Sequence, residues 1–459
     1  MPSRLFALPR LFDLRAMLQH ATTIWIGQLA VMAFAIADTL IAGRYATEAL
    51  AALSVGTAIY FSVYIGLQGF IQSLLPLWAR MHGARKMEEL GFSVRQTVYI
   101  QAGCTLLGAM ALLFPDPVLR LAGVPGTVQP LVRDYLAVQA LTLPLALVAR
   151  SFNTFSQSIG RPEWVTRLQA GGLLVKLPLS LWFTFGGLGL SPAGLVGCAW
   201  ATFVTQALMA VVIGRLVSRH PHYLPYALWR RPERPHGPTL RAFVHLGLPG
   251  SVAIWVEVTS FTTMALLVAP MGTVASGAQQ IASNMAAVLY MWPLSLAIAA
   301  STRVSYWRGA RRHACSIAAL RTGLWVAAGS AVMASALTLV FRSVIVHWYS
   351  DAPDVTRIAA SLLIFVAAYH LADAMQTMGL FLLRCFEVVR TPAFIYTLLL
   401  WGIGLGAGHW LAYGVRSAGG MDLHSPDAFW MTTVVALSGV ALLFMLLLRM
   451  QIRRIPAMA

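Results

Sequence analysis

The 459-residue chain is 58% hydrophobic and only 11% charged, with a mean hydropathy of +0.71 and a formal net charge of +17. A soluble domain of this length is excluded, since such domains carry about a quarter charged residues. A nucleic-acid partner is excluded as well, because the positive charge is Arg spread over the ends of apolar runs and not one basic face.

The N-terminal stretch MPSRLFALPRLFDLRAMLQH interleaves Arg with apolar residues and has no uninterrupted apolar core. No cleavable signal peptide is expected there; a short amphipathic helix lying on the cytoplasmic membrane surface fits the pattern. Six apolar runs follow, near 21–43, 50–78, 93–114, 130–152, 164–186 and 193–217. Each is long enough for a bilayer crossing, which needs about 20 residues. Each is read as a helix, the fold in which one segment satisfies its own backbone in lipid. A polar, Pro- and Arg-rich stretch (218–242) comes next. Six more runs lie near 243–269, 274–302, 316–341, 357–383, 391–413 and 428–448. The expected organisation is an all-α membrane protein of about twelve transmembrane helices. A six-helix bundle (1–217), a cytoplasmic linker (218–242) and a second six-helix bundle (243–459) follow from that order.

Basic residues set the orientation, since they concentrate in cytoplasmic loops. With the N-terminus inside, 26 Lys and Arg fall at inner ends and 6 (Arg44, Arg120, Arg133, Arg342, Arg357 and Arg416) at outer ends, leaving Lys176 within the membrane. Both termini are then cytoplasmic. The halves also resemble each other. WARMHGARK (78–86) follows the second run and SYWRGARR (305–312) the eighth, with Gly83 and Gly309 offset by 226. ARSFNTFSQSIGRP (149–162) and LRCFEVVRTP (383–392) occupy the ends of the fourth and tenth runs. Arg-rich inner loops look alike for topological reasons alone, but order and spacing together favour a duplicated six-helix unit. An even-numbered repeat keeps its orientation, which puts the pseudo-symmetry axis along the membrane normal and a ligand site between the repeats.

Three acids lie inside apolar runs: Asp38 in AFAIADTLIAG (33–43), Glu257 in AIWVEVTSFTTMALL (253–267) and Asp373 in IFVAAYHLADAMQTMGLFLL (364–383). A carboxylate at mid-membrane costs about 2.5–3.5 kcal/mol on insertion scales, and such groups normally face an ion path or a wet cavity. The competing reading is that they only bond neighbouring helices. Tyr369 and Asp373 are four apart and share a helix face. Carboxylate and phenol oxygens are hard ligands that suit a small cation, and a carboxylate can hold a proton instead. An organic cation competing for the same negative charge would make the two exchange. Lys176 is expected to pair with Asp38, because an unpaired Lys at that depth is costly and the family resemblance set out next makes Asp38 its nearest acid. Their depths differ by roughly 7 Å at about 1.5 Å per residue, which a Lys stem covers by snorkelling. The pair would hold Asp38 as an anion and leave the second bundle to carry coupling. The alternative is a Lys176 that faces the cleft and repels cations.

His370, about 100° round the helix from Tyr369, reads as a helix–helix bond. Met and aromatic residues such as Met264, Tyr290, Trp292 and Met378 suit polyspecific binding where they face a cleft and packing where they do not. Pro144, Pro178, Pro249 and Pro293 should kink their helices. Cys104, Cys198, Cys315 and Cys385 are scattered, with no metal-ligand spacing.

ADTLIAG (37–43), GLPGSVAIWVEVTSFTTMALLVAPMG (247–272), GAQQIASNMAAVLYMWPLSLAIAASTRV (277–304) and AYHLADAMQTMGLFLLR (368–384) resemble the multidrug and toxic compound extrusion (MATE) transporters, in their NorM-like bacterial branch. The resemblance covers the whole chain. It implies two pseudo-symmetric six-helix bundles facing a central cleft, and export of small cationic amphipathic molecules in exchange for sodium ions or protons. The protein would be a monomer in the bacterial inner membrane, with no cofactor and no enzymatic activity. The resemblance also implies an ion site at Glu257, Asp373 and Tyr369, which would ligate sodium if sodium is the coupling ion. It places Asp38 as the acid of the first bundle, and Asn284 and Gln280 in the polar network of the eighth helix. The chain departs from the pattern at Gln279-Gln280, where the family often has His-Gln, and at Lys176 and Ser180, where relatives carry Asn. It also lacks a Pro in the first helix.

A flippase for lipid-linked oligosaccharide or lipid II, from the same superfamily, is the alternative; three intramembrane acids against one Lys disfavour it. A membrane enzyme, a channel and an ATP-driven pump lack supporting motifs, including any Walker sequence.

Overall fold

The computed structural model describes residues 11–121, 124–187, 189, 191–415, 417–418, 421–422 and 424–454. The helices are α1 (Leu11–Tyr45), α2 (Thr47–Gln72), α3 (Leu75–Gly83), α4 (Met87–Leu113), α5 (Asp116–Leu121), α6 (Gln129–Ser158), α7 (Glu163–Phe185) and α8 (Gly194–Arg219), then α9 (Gly237–Val268), α10 (Thr273–Gly309), α11 (His313–Tyr349), α12 (Pro353–Cys385), α13 (Arg390–Thr397) and α14 (Pro426–Arg453). π-helical turns over Leu398–Ala407 and Trp410–Val415 extend α13, and a two-residue antiparallel ladder, Ser417–Ala418 with Met421–Asp422, precedes α14. Among the described residues, twelve helical segments are long and apolar enough to cross a membrane. Each expected span overlies one of them, and the protein is an all-α, multi-pass membrane protein.

The N-terminus differs from expectation. Residues 1–10 of the expected surface helix, with Arg4 and Arg10, lie outside the described residues, as does Arg416. From Leu11 the chain is one uninterrupted helix to Tyr45. The reason is local: no Pro or Gly falls between Leu11 and Ile26 to end a helix before the first span. The four helix-internal prolines sit inside α6, α7, α9 and α10. Each removes one backbone donor from its ladder. Pro76 stands in the first turn of α3, where the missing donor is tolerated, and marks the break after α2.

Residues Thr23–Ser251 form one compact unit, called here the N-terminal unit; described residues before 23 and after 251 form the C-terminal unit. In the N-terminal unit α6 packs against α2, α4 and α8. Its buried Leu136, Leu143 and Leu147 join Ile71, Leu112 and Leu195 in one apolar cluster. In the C-terminal unit α12 packs against α10, α11 and α14. The α12 run from Gly379 to Cys385 is buried throughout, so that helix is the centre of its unit.

Both units end their inner helices with the same turn. After α3, the Arg85 N–H donates to His82 O at 3.0 Å and the Lys86 N–H to Met81 O at 3.1 Å, with Arg85 left-handed at φ 58°. After α10, the Arg311 N–H donates to Arg308 O at 3.1 Å and the Arg312 N–H to Trp307 O at 2.9 Å, with Arg311 also at φ 58°. The pattern recurs at Gly160 (φ 73°) after α6 and at Glu387 (φ 63°) after α12. These are Schellman stops, which satisfy orphan carbonyls at a helix end and favour Gly at the left-handed position. The chain uses Gly at one of the four. A side chain there costs on the order of 1–2 kcal/mol.

The stretch 218–242 lies in the N-terminal unit and is bonded to it along its length. Arg95 of α4 donates from Nε to both Glu233 carboxylate oxygens at 3.1 Å, from Nη2 to Glu233 Oε1, and from Nη1 to Ala227 O at 2.9 Å. Gln96 donates to Arg234 O at 3.1 Å and accepts from the His236 N–H at 2.9 Å. Tyr99 donates to Glu233 O at 2.6 Å. Tyr223 is buried against Phe152 and Phe155 and bonds Ser156 at 3.1 Å. The hydrogen bonds from Arg95 hold the Glu233 carboxyl below the usual carboxylate range. Gly91 of α4 makes this docking sterically possible: a Cβ there would lie 1.7 Å from Tyr226 O.

Candidate functional site

The C-terminal unit brings together Glu257 from α9 and Asp373 from α12. Asp373 is fully buried and Glu257 9% exposed. The two carboxylates lie within electrostatic reach of each other. Three phenols surround them. Tyr369 (α12), Tyr290 (α10) and Tyr396 (α13) each lie in the field of both acids. The periodicity of α12 builds one side: Tyr369, Asp373 and the neighbours Gln376 and Thr377 recur at helical spacing on one face. Gln376 Nε2 donates to Asp373 Oδ1 at 3.1 Å and to Thr377 Oγ1 at 3.0 Å. Asp373 Oδ2 and Gln376 Oε1 are buried without a hydrogen-bond partner among the described residues.

An aromatic frame fixes Tyr369. Its ring stands edge-on to Trp430 (5.6 Å between centroids) and to Phe261 (5.9 Å), and those two meet at 6.2 Å. Trp430 is fully buried, and its Nε1 donates to Gln279 Oε1 at 2.7 Å. Gln279 in turn reaches Ser283 at 3.2 Å. The π-helical segment grips α9 beside the acid, with Trp401 Nε1 donating to Val256 O at 3.4 Å.

The cluster can hold a small positive charge. Two carboxylates close together in a dry setting cannot both carry charge without a proton or a cation between them. An orphaned buried acceptor costs about 1–3 kcal/mol, more if ionised. The oxygen donors are of the hard type that suits such a cation. Among the described residues there is no cluster of three or more His, Cys, Asp or Glu. The set is therefore carboxylate and phenol oxygen.

In the N-terminal unit Asp38 (α1) meets Lys176 (α7). Lys176 Nζ donates to Asp38 Oδ2 at 2.6 Å, with side chains 5% and 12% exposed. The expected pair is thus present. Phe34, one turn before Asp38, lies with its ring 5.2 Å from Nζ. Tyr135 and Cys198 face the pair. Tyr135 accepts from Gln139 at 2.9 Å, and Cys198 contacts Thr184 Oγ1 at 3.2 Å. Asp38 Oδ1 and Ser180 Oγ are buried without hydrogen-bond partners among the described residues. Breaking a buried pair by removing one member typically costs about 3–5 kcal/mol.

Gln280 and Asn284 are exposed and bond each other at 3.0 Å; among the described residues, no hydrogen bond links them to the carboxylates. The buried amide of that helix is Gln279, one position earlier and about 100° away. Sequence reasoning did not give Tyr396, Gln376 or Trp430 a role. Gln376 was within reach of a spacing argument, three residues after Asp373. Tyr396 and Trp430 come from α13 and α14, and no local pattern announces those contacts.

Membrane-spanning helices that bury carboxylates in both units are the architecture of a membrane transporter. Comparison with known proteins places it further. A family model described as MatE matches twice, at residues 24–182 and 249–408, so the chain is an internal duplication whose copies begin 225 residues apart. The chain is 33% identical over 435 residues to the "Probable multidrug resistance protein NorM" of Aromatoleum aromaticum, covering 95% of this chain and 94% of that one. Its fold is similar to that of the eukaryotic MATE transporter AtDTX14, at TM-score 0.83 and 18% identity over 97% and 98% of the two chains. It is likewise similar to the Vibrio cholerae MATE transporter VcmN in the bent form, at TM-score 0.82 and 18% identity over 96% and 97%. The chain belongs to the MatE family of membrane transporters.

Proposed function

We propose that the protein is a secondary active multidrug exporter of the bacterial inner membrane, trading small cationic amphipathic molecules for sodium ions or protons. The observation that carries this reading is the buried Glu257–Asp373 pair, ringed by three phenols and left with an unbonded carboxylate oxygen. Glu257, Asp373 and Tyr369 bind the coupling ion, as sodium ligands or as proton carriers. Its arrival discharges the site and frees the organic cation; its departure restores the negative charge that attracts the next one. The relatives named multidrug resistance proteins support this cargo class. Both termini and the 218–242 stretch are cytoplasmic, on the 26-to-6 asymmetry of basic residues. An anionic lipid-linked cargo would want free positive charge, and Lys176 is neutralised by Asp38.

The test is ethidium efflux from proteoliposomes of the full chain, driven first by a sodium gradient and then by a pH gradient. One gradient should drive uphill efflux. Efflux driven by neither, with ethidium still bound, would sink the exchange reading.

A further inference from the structure

The duplication gives each half a carboxylate in a span, and only the N-terminal one comes with a lysine. Lys176 Nζ sits on Asp38 Oδ2 at 2.6 Å, both side chains nearly sealed from solvent. The Phe34 ring covers the ammonium. Tyr135 and Cys198, which lie in the field of Asp38, are uncharged side chains, and the buried Ser180 stands one helical turn after Lys176. Of the other acids of this unit, Glu48, Glu88, Glu89, Asp116 and Glu163 stand in first turns, Asp134 near the start of α6, and Glu233 in the 218–242 stretch on Arg95.

We propose that Lys176 is a tethered counter-cation that permanently fills the cation position at Asp38, so that the N-terminal unit exchanges no ion and the Glu257–Asp373 cluster alone sets the number of ions moved per cargo. This rests on the exchange reading above. The ammonium is held by a short stem, and a short tether gives an effective concentration of about millimolar or higher. A mobile ion at Asp38 would have to displace it and strand it in apolar surroundings. Truncating Lys176 to an uncharged side chain should leave Asp38 near the Tyr135 hydroxyl, with the Ser180 hydroxyl one helical turn from the truncated position. That is a vacated site of carboxylate and hydroxyl oxygens suited to a small cation or a proton. Lys176 is on this view a positioning and stoichiometry-determining residue, one that contacts neither cargo nor coupling ion.

Two measurements on the full chain test it. In proteoliposomes, the ion gradient that just halts ethidium efflux reads the number of ions moved per cargo. Asp38→Asn should leave that number unchanged. Lys176→Gln should raise it by one, Lys176→Gln with Asp38→Asn should return it to the wild-type value, and Lys176→Arg should not move it. A drop of one in Asp38→Asn, or an unchanged number in a transporting Lys176→Gln, overturns the proposal. The second readout needs no transport. In detergent, with Glu257→Gln and Asp373→Asn disabling the other cluster, the shift of melting temperature is measured in sodium against choline chloride and across pH. Adding Lys176→Gln should create an ion-dependent shift that Asp38→Asn removes. An ion-dependent shift already present with Lys176 intact, or none after its removal, overturns the proposal. If instead the cluster variants keep full coupled efflux, the exchange reading fails while this N-terminal readout still decides the role of Lys176.

Discussion

The two units answer the same electrostatic problem in opposite ways. In the N-terminal unit, a buried carboxylate is closed by a lysine of the same chain at 2.6 Å. In the C-terminal unit, two carboxylates lie in each other's field among three phenols; each unit leaves one carboxylate oxygen unbonded among the described residues, Asp38 Oδ1 and Asp373 Oδ2, but only Asp38 has a cation bonded to its other oxygen. On the exchange reading, the first charge is structural and the second is closed by an ion that comes and goes. Counting acids in spans then overstates the number of working ion sites, since what differs is the company each acid keeps: a bonded lysine at Asp38, and only the field of buried Arg384 at Glu257.

The largest expected effect is at the open cluster. Glu257→Gln or Asp373→Asn should each reduce gradient-driven efflux to the level of empty liposomes while leaving expression in the membrane intact. Wild-type efflux in either would erase the contrast between the units. Next comes the closed pair. Lys176→Ala should cost about 3–5 kcal/mol of stability, and the further change Asp38→Ala should recover part of it. A double-mutant cycle in which the two losses simply add would show no coupling. A smaller effect belongs to the aromatic frame. Tyr369→Phe removes one hydroxyl ligand while keeping the ring that Trp430 and Phe261 hold, and should weaken coupling-ion affinity by about tenfold, the equivalent of roughly 1.4 kcal/mol. Unchanged ion affinity would make Tyr369 a packing residue. The smallest effect is at the docked 218–242 stretch. Glu233 is half-exposed, so Glu233→Gln should cost about 1 kcal/mol or less. Its carboxyl is held low in the folded protein. The stabilisation should therefore be full above the unfolded carboxyl's range near pH 4.5. It should fade as pH falls through the lower folded value, where wild type and variant converge. A difference that instead grew with acid would contradict the Arg95–Glu233 contact.

Much of this was legible in the sequence because lipid makes strict demands. Twelve apolar runs imply twelve helices, and a lysine in a span demands an acid, which Asp38 supplies. The contrast between Gln279 and Gln280 was not legible: both are amides in the same helix, and which one turns inward depends on rotation against α14, where Trp430 waits. Tyr396 and Trp430 reach the cluster from helices distant in sequence, so only the packed fold reveals them. The binding of 218–242 to α4 was hidden for a similar reason. Its composition reads as a flexible connection, while its partners Arg95, Gln96 and Tyr99 look like ordinary residues at a span end.

The left-handed stops after α3 and α10 share one φ value and one hydrogen-bond pattern. The two copies of the repeat thus differ within their helices, one holding a lysine on its acid and the other a second acid, while these joints between helices share one shape. Inheritance here has been conservative in the hinges of the drawing and inventive in its panels. The six-residue turn MHGARK (81–86) should accordingly accept WRGARR (307–312) with its left-handed stop kept, whereas an exchange of α1 for α9 would move an acid away from the partner that its own half supplies.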